Sequence, residues 1–283
     1  MLSSQRDRLI SYLNKMKKYP ELWNIIKFIN MQKFVSALSG QRYKRRHDQI
    51  EIDITYDCNL KCFNCNRSCG QAPSDDRISL EQIHKFIQES TAKGIQWKSI
   101  RILGGEATLH PEFLQILDEL ITFKNSHCPG VDLQIVTNGF GRKVHEVLKK
   151  VSSKVLIENS AKKSPRQKFI LFNLAPQDFL RYRYVDYSIG CGVPRHFGMG
   201  LSPYGYYPCA VAAGIDRVFG FDIGRKSLPE LSDDMRAEMN ALCRYCGFLV
   251  YSENVLTDKS LMSKSWRRAY ENYQISKPRL TYY

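Results

Sequence analysis

The sequence predicts an α/β protein, a partial (β/α) barrel followed by a small cysteine-rich domain, with helical extensions at both ends. Two observations carry that expectation. From Ile50 onward, stretches of period-two apolar alternation are separated by stretches of helical spacing, the pattern of a parallel sheet with helices outside it. About five or six such units fit, too few for a full eight-unit barrel. The third observation concerns chemistry: nine cysteines fall into two groups, with Cys128 alone between them. An odd count and tight local spacing argue against a disulfide framework and for metal.

Each element follows from a local signal. Residues 1–47 read as a helical extension: Leu9, Leu13 and Met16 share a face, Pro20 interrupts, and a second stretch from Glu21 ends before Gly40. The barrel is expected over 48–190. Ile50, Ile52 and Ile54 alternate with Glu51, Asp53 and Thr55 as its first strand. Ser79 with Gln82 forms a capping box for a helix ended by Gly94. A strand Ser99–Leu103, a helix Pro111–Lys124, a strand Asp132–Thr137, a helix Arg142–Lys150 and strands Lys154–Glu158 and Lys168–Asn173 complete the series. Residues 191–250 turn to Gly, Pro and Tyr around cysteines, the texture of short strands and turns. Residues 251–283 return to a basic, aromatic helical tail.

Glu51, Asp53, Arg101, Gln134 and Glu158 recur among apolar neighbours on successive strands, which predicts a polar lumen able to take a hydroxylated or charged small molecule. Solvent-exposed strand ends are an equally weighted reading.

Composition sets the outer bounds. Charged residues at 25% and hydrophobic ones at 43% exclude wholesale disorder, and a chain of 283 residues can bury a core without disulfide staples. No apolar run approaches the roughly 20 residues of a membrane helix. The longest, Leu22 to Leu38, is interrupted by Asn24, Lys27, Asn30, Gln32 and Lys33. With no apolar signal core, the expected setting is the cytoplasm, with no membrane partner. The net charge of +14 is compatible with nucleic acid or acidic ligands. Arg42, Lys44, Arg45, Arg46, Arg267 and Arg268 are read as solvated surface charge.

Cys58, Cys62 and Cys65 follow the end of the first strand on one short loop. Three thiolates can hold three irons of a cubane and leave the fourth open, or can hold zinc with a fourth ligand such as Cys69. Spacing alone does not separate these. The strands that follow end in Gly104-Gly105-Glu106 and Thr137-Asn138-Gly139, and Leu109-His110-Pro111-Glu112-Phe113 opens the next helix. In this order the segments resemble the radical S-adenosylmethionine (SAM) superfamily over roughly residues 48–190.

The resemblance implies that Cys58, Cys62 and Cys65 bind a 4Fe-4S cluster whose open iron is chelated by SAM. It places Gly104, Gly105 and Glu106 at the methionine ammonium and Asn138 near the cofactor; Asn159 and Ser160 are candidates for the ribose hydroxyls. One departure stands out: the family usually carries an aromatic residue immediately before the third cysteine, where this chain has Asn64.

Cys191, Cys209, Cys243 and Cys246 supply four further thiolates, enough for a closed 4Fe-4S or zinc site. Their arrangement resembles the twitch domain of radical SAM enzymes, which holds one auxiliary 4Fe-4S cluster. In size and plan the chain is similar to the 2-deoxy-scyllo-inosamine dehydrogenases, which oxidise a secondary alcohol. The expectation is a two-electron oxidation of a polar small molecule, fed by a one-electron donor such as flavodoxin or ferredoxin. The alternatives are a maturase that cross-links or epimerises a ribosomal peptide, an RNA-modifying enzyme, and a zinc-braced binding protein. Cys69 and Cys128 are left without an assigned role.

Overall fold

The computed structural model describes residues 20–41, 43–167, 169–250, 256–257 and 261–283. Leu9, Leu13, Met16 and Arg42 lie outside them. Two helices, α1 (Pro20–Asn30) and α2 (Lys33–Ser39), lead to β1 (Gln49–Thr55). Then follow α3 (Leu80–Ala92), β2 (Ser99–Gly104), α4 (Phe113–Ser126), β3 (Asp132–Thr137), α5 (Arg142–Leu148) and β4 (Leu156–Asn159). Past a short β5 (Phe169–Ile170) come α6 (Gly192–Phe197), β6 (Met199–Ser202), β7 (Gly205–Tyr207) and α7 (Ala210–Phe219). The chain continues through α8 (Arg236–Leu242), β8 (Leu256–Thr257) and α9 (Lys264–Ile275).

The main sheet has six strands in the order β4-β3-β2-β1-β6-β7 and is parallel except for the β6–β7 hairpin. It is the partial (β/α) barrel that the alternating periodicity predicts. Every β1 residue after Gln49 is buried, because two different layers cover its faces. Ile50, Ile52 and Ile54 enter the core with Phe86, Ile100, Ile102, Phe113 and Ile135, while Glu51 and Asp53 point to the other face. The Ser79 capping box forms as expected, with Ser79 and Gln82 each accepting from the other's backbone N–H.

Two segments depart from the sequence reading. The helix expected from Pro111 begins at Phe113, because the Glu112 N–H donates to the His110 ring in a turn. Of the strand expected over 168–173, Lys168 lies outside the described residues, and Phe169–Ile170 forms a strand that leaves the barrel, pairing antiparallel with Leu256–Thr257. Its continuation is claimed by the C-terminal part of the chain, where Asn173 accepts from the Ser263 N–H and Phe172 packs on Trp266. The place beside β1 goes instead to β6, so the sheet runs across residue 190.

The tail expected to be helical contains α9, which buries Trp266, Ala269, Tyr270 and Tyr273 on one face and exposes Arg267 and Arg268. Asp76 ties this end of the chain to the barrel. Its carboxylate accepts from Lys277 (2.7 Å), Tyr204 (2.6 Å), Tyr282 (3.1 Å) and Ser74. Burial alone raises its pKa, but the donors Lys277, Ser74 and Tyr204 outweigh burial and hold it at about 2. A depressed carboxylate stabilises the fold above its unfolded pKa of about 4 and loses that contribution as the pH falls toward 2. Asp76→Asn is therefore expected to lower the urea midpoint at pH 7, with the gap to the parent protein closing between about pH 4 and pH 2. An equal gap at both ends of that range would exclude this account.

Candidate cofactor and substrate site

The loop after β1 carries the first three cysteines, and distant parts of the chain hold it in place. Arg217 on α7 is buried and donates to the carbonyls of Ala72 (2.7 Å) and Arg67 (2.9 Å). Its guanidinium also lies 4.3 Å from the centre of the Tyr56 ring. Gly214, one turn earlier, lets the loop approach: a Cβ there would stand 2.9 Å from the Asn66 carbonyl oxygen. Within the loop, the Leu60 N–H reaches the Cys58 sulfur at 3.4 Å, and the Gln167 N–H donates to Cys62. Burial pushes the Cys58 thiol up to about 12 and raises Cys62, whereas a hydrogen bond from Cys69 brings Cys65 down to about 6. Asn64 is fully buried with a left-handed backbone (φ 56°). Asparagine tolerates that conformation far better than a bulky aromatic residue, which accounts for the departure from the usual motif.

The strand ends close over this loop. At Gly104 (φ +130°) a Cβ would lie 2.2 Å from the Thr55 carbonyl oxygen, and at Gly105 it would lie 2.2 Å from that of Asp57. The glycine pair thus permits the end of β2 to sit against β1. Gly104→Ala combines a steric overlap with a disfavoured φ and is expected to cost about 2 kcal/mol or more, read as a lowered urea midpoint. An unchanged midpoint would contradict it.

Glu106 is fully buried, and both carboxylate oxygens are engaged. One accepts from the hydroxyls of Thr108 (2.7 Å) and Thr137 (2.8 Å), the other from the Asn138 N–H (2.7 Å). Glu106 therefore locks the end of β2 to the end of β3. Asn138 in turn donates to Asn59 of the cysteine loop at 2.8 Å and lies 4.0 Å from the Cys58 sulfur. The Asn159 side chain accepts from the Ala161 N–H, and Ser160 donates to the Thr137 carbonyl. Asn138, Asn159 and Ser160 thus share one rim with the cysteine loop and the glycine pair.

On the concave face the polar strand positions join an ion-pair network. Arg67 reaches Glu51 (3.2 Å) and Asp53 (3.3 Å), while Arg101 reaches Glu51 (2.5 Å) and Glu158 (2.6 Å). Gln134 sits in register beside Arg101. Asp53 is sealed beneath Arg67, where burial raises its carboxyl to about 6. Of the five polar positions, Glu51 and Arg101 line a cavity of about 520 Å³, joined there by Arg67, Cys191, His196 and Phe197. Asp53, Gln134 and Glu158 are outside that lining, so the predicted lumen is smaller than the sequence suggested.

Cys191, Cys209 and the pair Cys243 and Cys246 come together from three segments and line one pocket with Val211, Leu242 and Phe248. Burial raises all four thiols, to about 11 for Cys191 and about 12 for Cys209, and Cys243 and Cys246 are each within the field of the other three or two. Among the described residues no three His, Cys, Asp or Glu side chains converge tightly enough for a single metal ion. The donor sets nonetheless suit metal: soft sulfur ligands in apolar surroundings, whose protons a bound metal displaces. Cys128 is elsewhere, in the main core, donating to the Ile95 carbonyl.

The Radical SAM superfamily profile matches residues 52–157. These residues are a radical SAM domain. They contain the cysteine loop, the glycine pair, Glu106 and Asn138, and a domain of this family takes a 4Fe-4S cluster and SAM. The chain is 32% identical over 98 residues to a probable GTP 3',8-cyclase of Pyrococcus horikoshii, covering 35% of this chain and 29% of that protein. It is 31% identical over 100 residues to the GTP 3',8-cyclase of Aliarcobacter butzleri, with the same shares, 35% and 29%. It therefore spans less than a third of these curated relatives. Among solved structures, BtrN in complex with AdoMet and 2-DOIA aligns with a TM-score of 0.44 at 13% identity, over 77% of this chain and 98% of that one. No helix among the described residues is long and apolar enough to cross a membrane.

Arg67, Arg217 and Gly214 escape a sequence reading of the radical SAM domain and its supports. Arg67 carried a local signal, standing two residues past Cys65; Arg217 and Gly214 carried none.

Proposed function

We propose that this chain is a radical SAM oxidoreductase that removes two electrons from a polar small molecule, with Cys58, Cys62 and Cys65 holding the SAM cluster and Cys191, Cys209, Cys243 and Cys246 holding an auxiliary 4Fe-4S cluster. The observation that carries this reading is Cys191, which lines both the four-cysteine pocket and the 520 Å³ cavity. A substrate held by Glu51, Arg67 and Arg101 thus has the second thiol group in its own wall. When bound, the clusters and SAM supply a 5′-deoxyadenosyl radical for hydrogen abstraction and an acceptor for the remaining electron.

The chain's own residues do the rest. Gly104 and Gly105 bring strand-end carbonyls to the methionine ammonium. Glu106 acts through Thr137 and Asn138, holding the rim on which Asn138, Asn159 and Ser160 face the cofactor. Arg101 and Glu51 orient hydroxyl or amino groups of the substrate, and Glu51 and His196 line the cavity where an alcohol proton must be accepted. The described part of the N-terminal extension is helical in α1 and α2, which favours a small molecule over a leader peptide. We assign residues 1–47, 48–190, 191–250 and 251–283 to the extension, the barrel, the auxiliary domain and the tail, with β6 and β7 of the third segment completing the sheet of the second.

The test is anaerobic incubation with SAM, dithionite and a panel of amino and polyhydroxy alcohols. The expected result is 5′-deoxyadenosine and, in equal amount, a product two hydrogens lighter than its substrate. SAM cleavage that responds to a peptide or an RNA and to no alcohol would overturn the reading.

A further inference from the structure

We propose that a basic rim over Cys62 is the docking site for an acidic one-electron carrier protein. Lys61, Lys162, Lys163 and Arg166 make up the rim, and the inference rests on the radical SAM reading above. The two loops that carry them are pinned together, the Lys61 N–H donating to the Pro165 carbonyl at 2.7 Å. The second loop roofs the first cysteine group: the Gln167 N–H donates to the Cys62 sulfur, and Lys162 lies close enough to act on that thiol through space. Lys61, Lys163 and Arg166 are exposed. None of the four cations forms an ion pair among the described residues, whereas other surface cations such as Arg142, Arg225 and Lys277 do.

Four unneutralised cations in one small patch form a field that steers and orients an acidic partner. Their place gives that partner a task. Each turnover that begins with reductive SAM cleavage needs one electron delivered at the Cys58, Cys62 and Cys65 site. A carrier seated on the rim gives up that electron across the Cys62 wall and leaves oxidised by one electron. An RNA partner fits less well, because the patch is short and the aromatic ring within it, Phe63, has the Arg166 guanidinium 5.6 Å from its centre.

The probe is an acidic flavodoxin, measured for binding by calorimetry and for its ability to drive SAM cleavage, beside dithionite as a small reductant that needs no docking site. The Lys163→Glu, Arg166→Glu double variant is expected to weaken flavodoxin binding about tenfold and to slow flavodoxin-driven cleavage, leaving dithionite-driven cleavage unchanged. The Lys163→Gln, Arg166→Gln pair should fall between, and wild-type binding should weaken as salt rises. Unaltered flavodoxin affinity in the Glu pair overturns the docking site while the radical SAM reading stands. Loss of RNA binding in that pair with flavodoxin binding intact overturns it in favour of nucleic acid. Absence of any dithionite-driven SAM cleavage by the wild-type protein removes the underlying reading, and the docking site with it.

Discussion

Protein purified without oxygen is expected to carry about eight irons per chain, and about four once Cys58, Cys62 and Cys65 are replaced by alanine. The two thiol groups are separate in the structure: one on a single loop after β1, the other assembled from three segments around Val211 and Phe248. Each group is largely buried, and burial raises Cys58 to about 12 and Cys209 to about 12. Apart from Cys65, which its hydrogen bond from Cys69 holds at about 6, the free thiols there stay protonated at neutral pH, so cluster assembly must release protons and binding strengthens as pH rises. The triple variant should also lose SAM cleavage altogether, because no other described residues supply an open three-thiolate site. Replacing Cys191, Cys209, Cys243 and Cys246 should remove the other four irons and leave the first site loaded. Four irons in the wild type, all lost in the triple variant, would make the C-terminal cysteines structural or zinc-binding and deprive the oxidation of its electron acceptor.

Arg217→Met is expected to destabilise the protein by about 3 kcal/mol or more, a fall in Tm of roughly 6–12 °C. The side chain is buried and its three hydrogen bonds go to the Ala72 and Arg67 carbonyls and the Tyr273 hydroxyl (3.0 Å). Methionine fills much of the volume but leaves two buried carbonyls without donors, the costly half of a broken hydrogen bond. Both carbonyls belong to the cysteine loop, so the variant should also lose iron from the Cys58, Cys62 and Cys65 site before the second site. Arg217→Lys keeps the charge but not the forked donor geometry, and should fall between the two. A Met variant with the parent Tm and full iron would show that α7 does not brace the loop.

How much of this was legible beforehand depends on the range of the interactions. Ile50, Ile52 and Ile54, the Ser79 capping box and the strand Asp132–Thr137 are written in adjacent residues, because side-chain periodicity and capping act within one or two turns. Cys58, Cys62 and Cys65 were legible for the same reason, since one loop supplies all three. The glycine pair and Glu106 were legible as a motif, but their physical work was not. Only in the folded packing does a Cβ at Gly104 strike Thr55, and only there is Glu106 engaged by Thr137 and Asn138.

Tertiary structure alone decided which strand stands beside β1. Residues 168–173 had the composition of a barrel strand, yet Phe169, Ile170 and Asn173 found their backbone partners in the C-terminal part of the chain and β6 took the edge beside β1. Strand propensity is local, whereas a place in a sheet is won by whichever segment can bury both of its faces there. Likewise Arg217 meets Ala72 across 145 residues, and the five polar strand positions were reduced to two in the cavity when Arg67 folded over Asp53. Charge pairing inside a barrel depends on which loop returns to fill it, and that is settled by packing between distant segments rather than by any spacing along the chain.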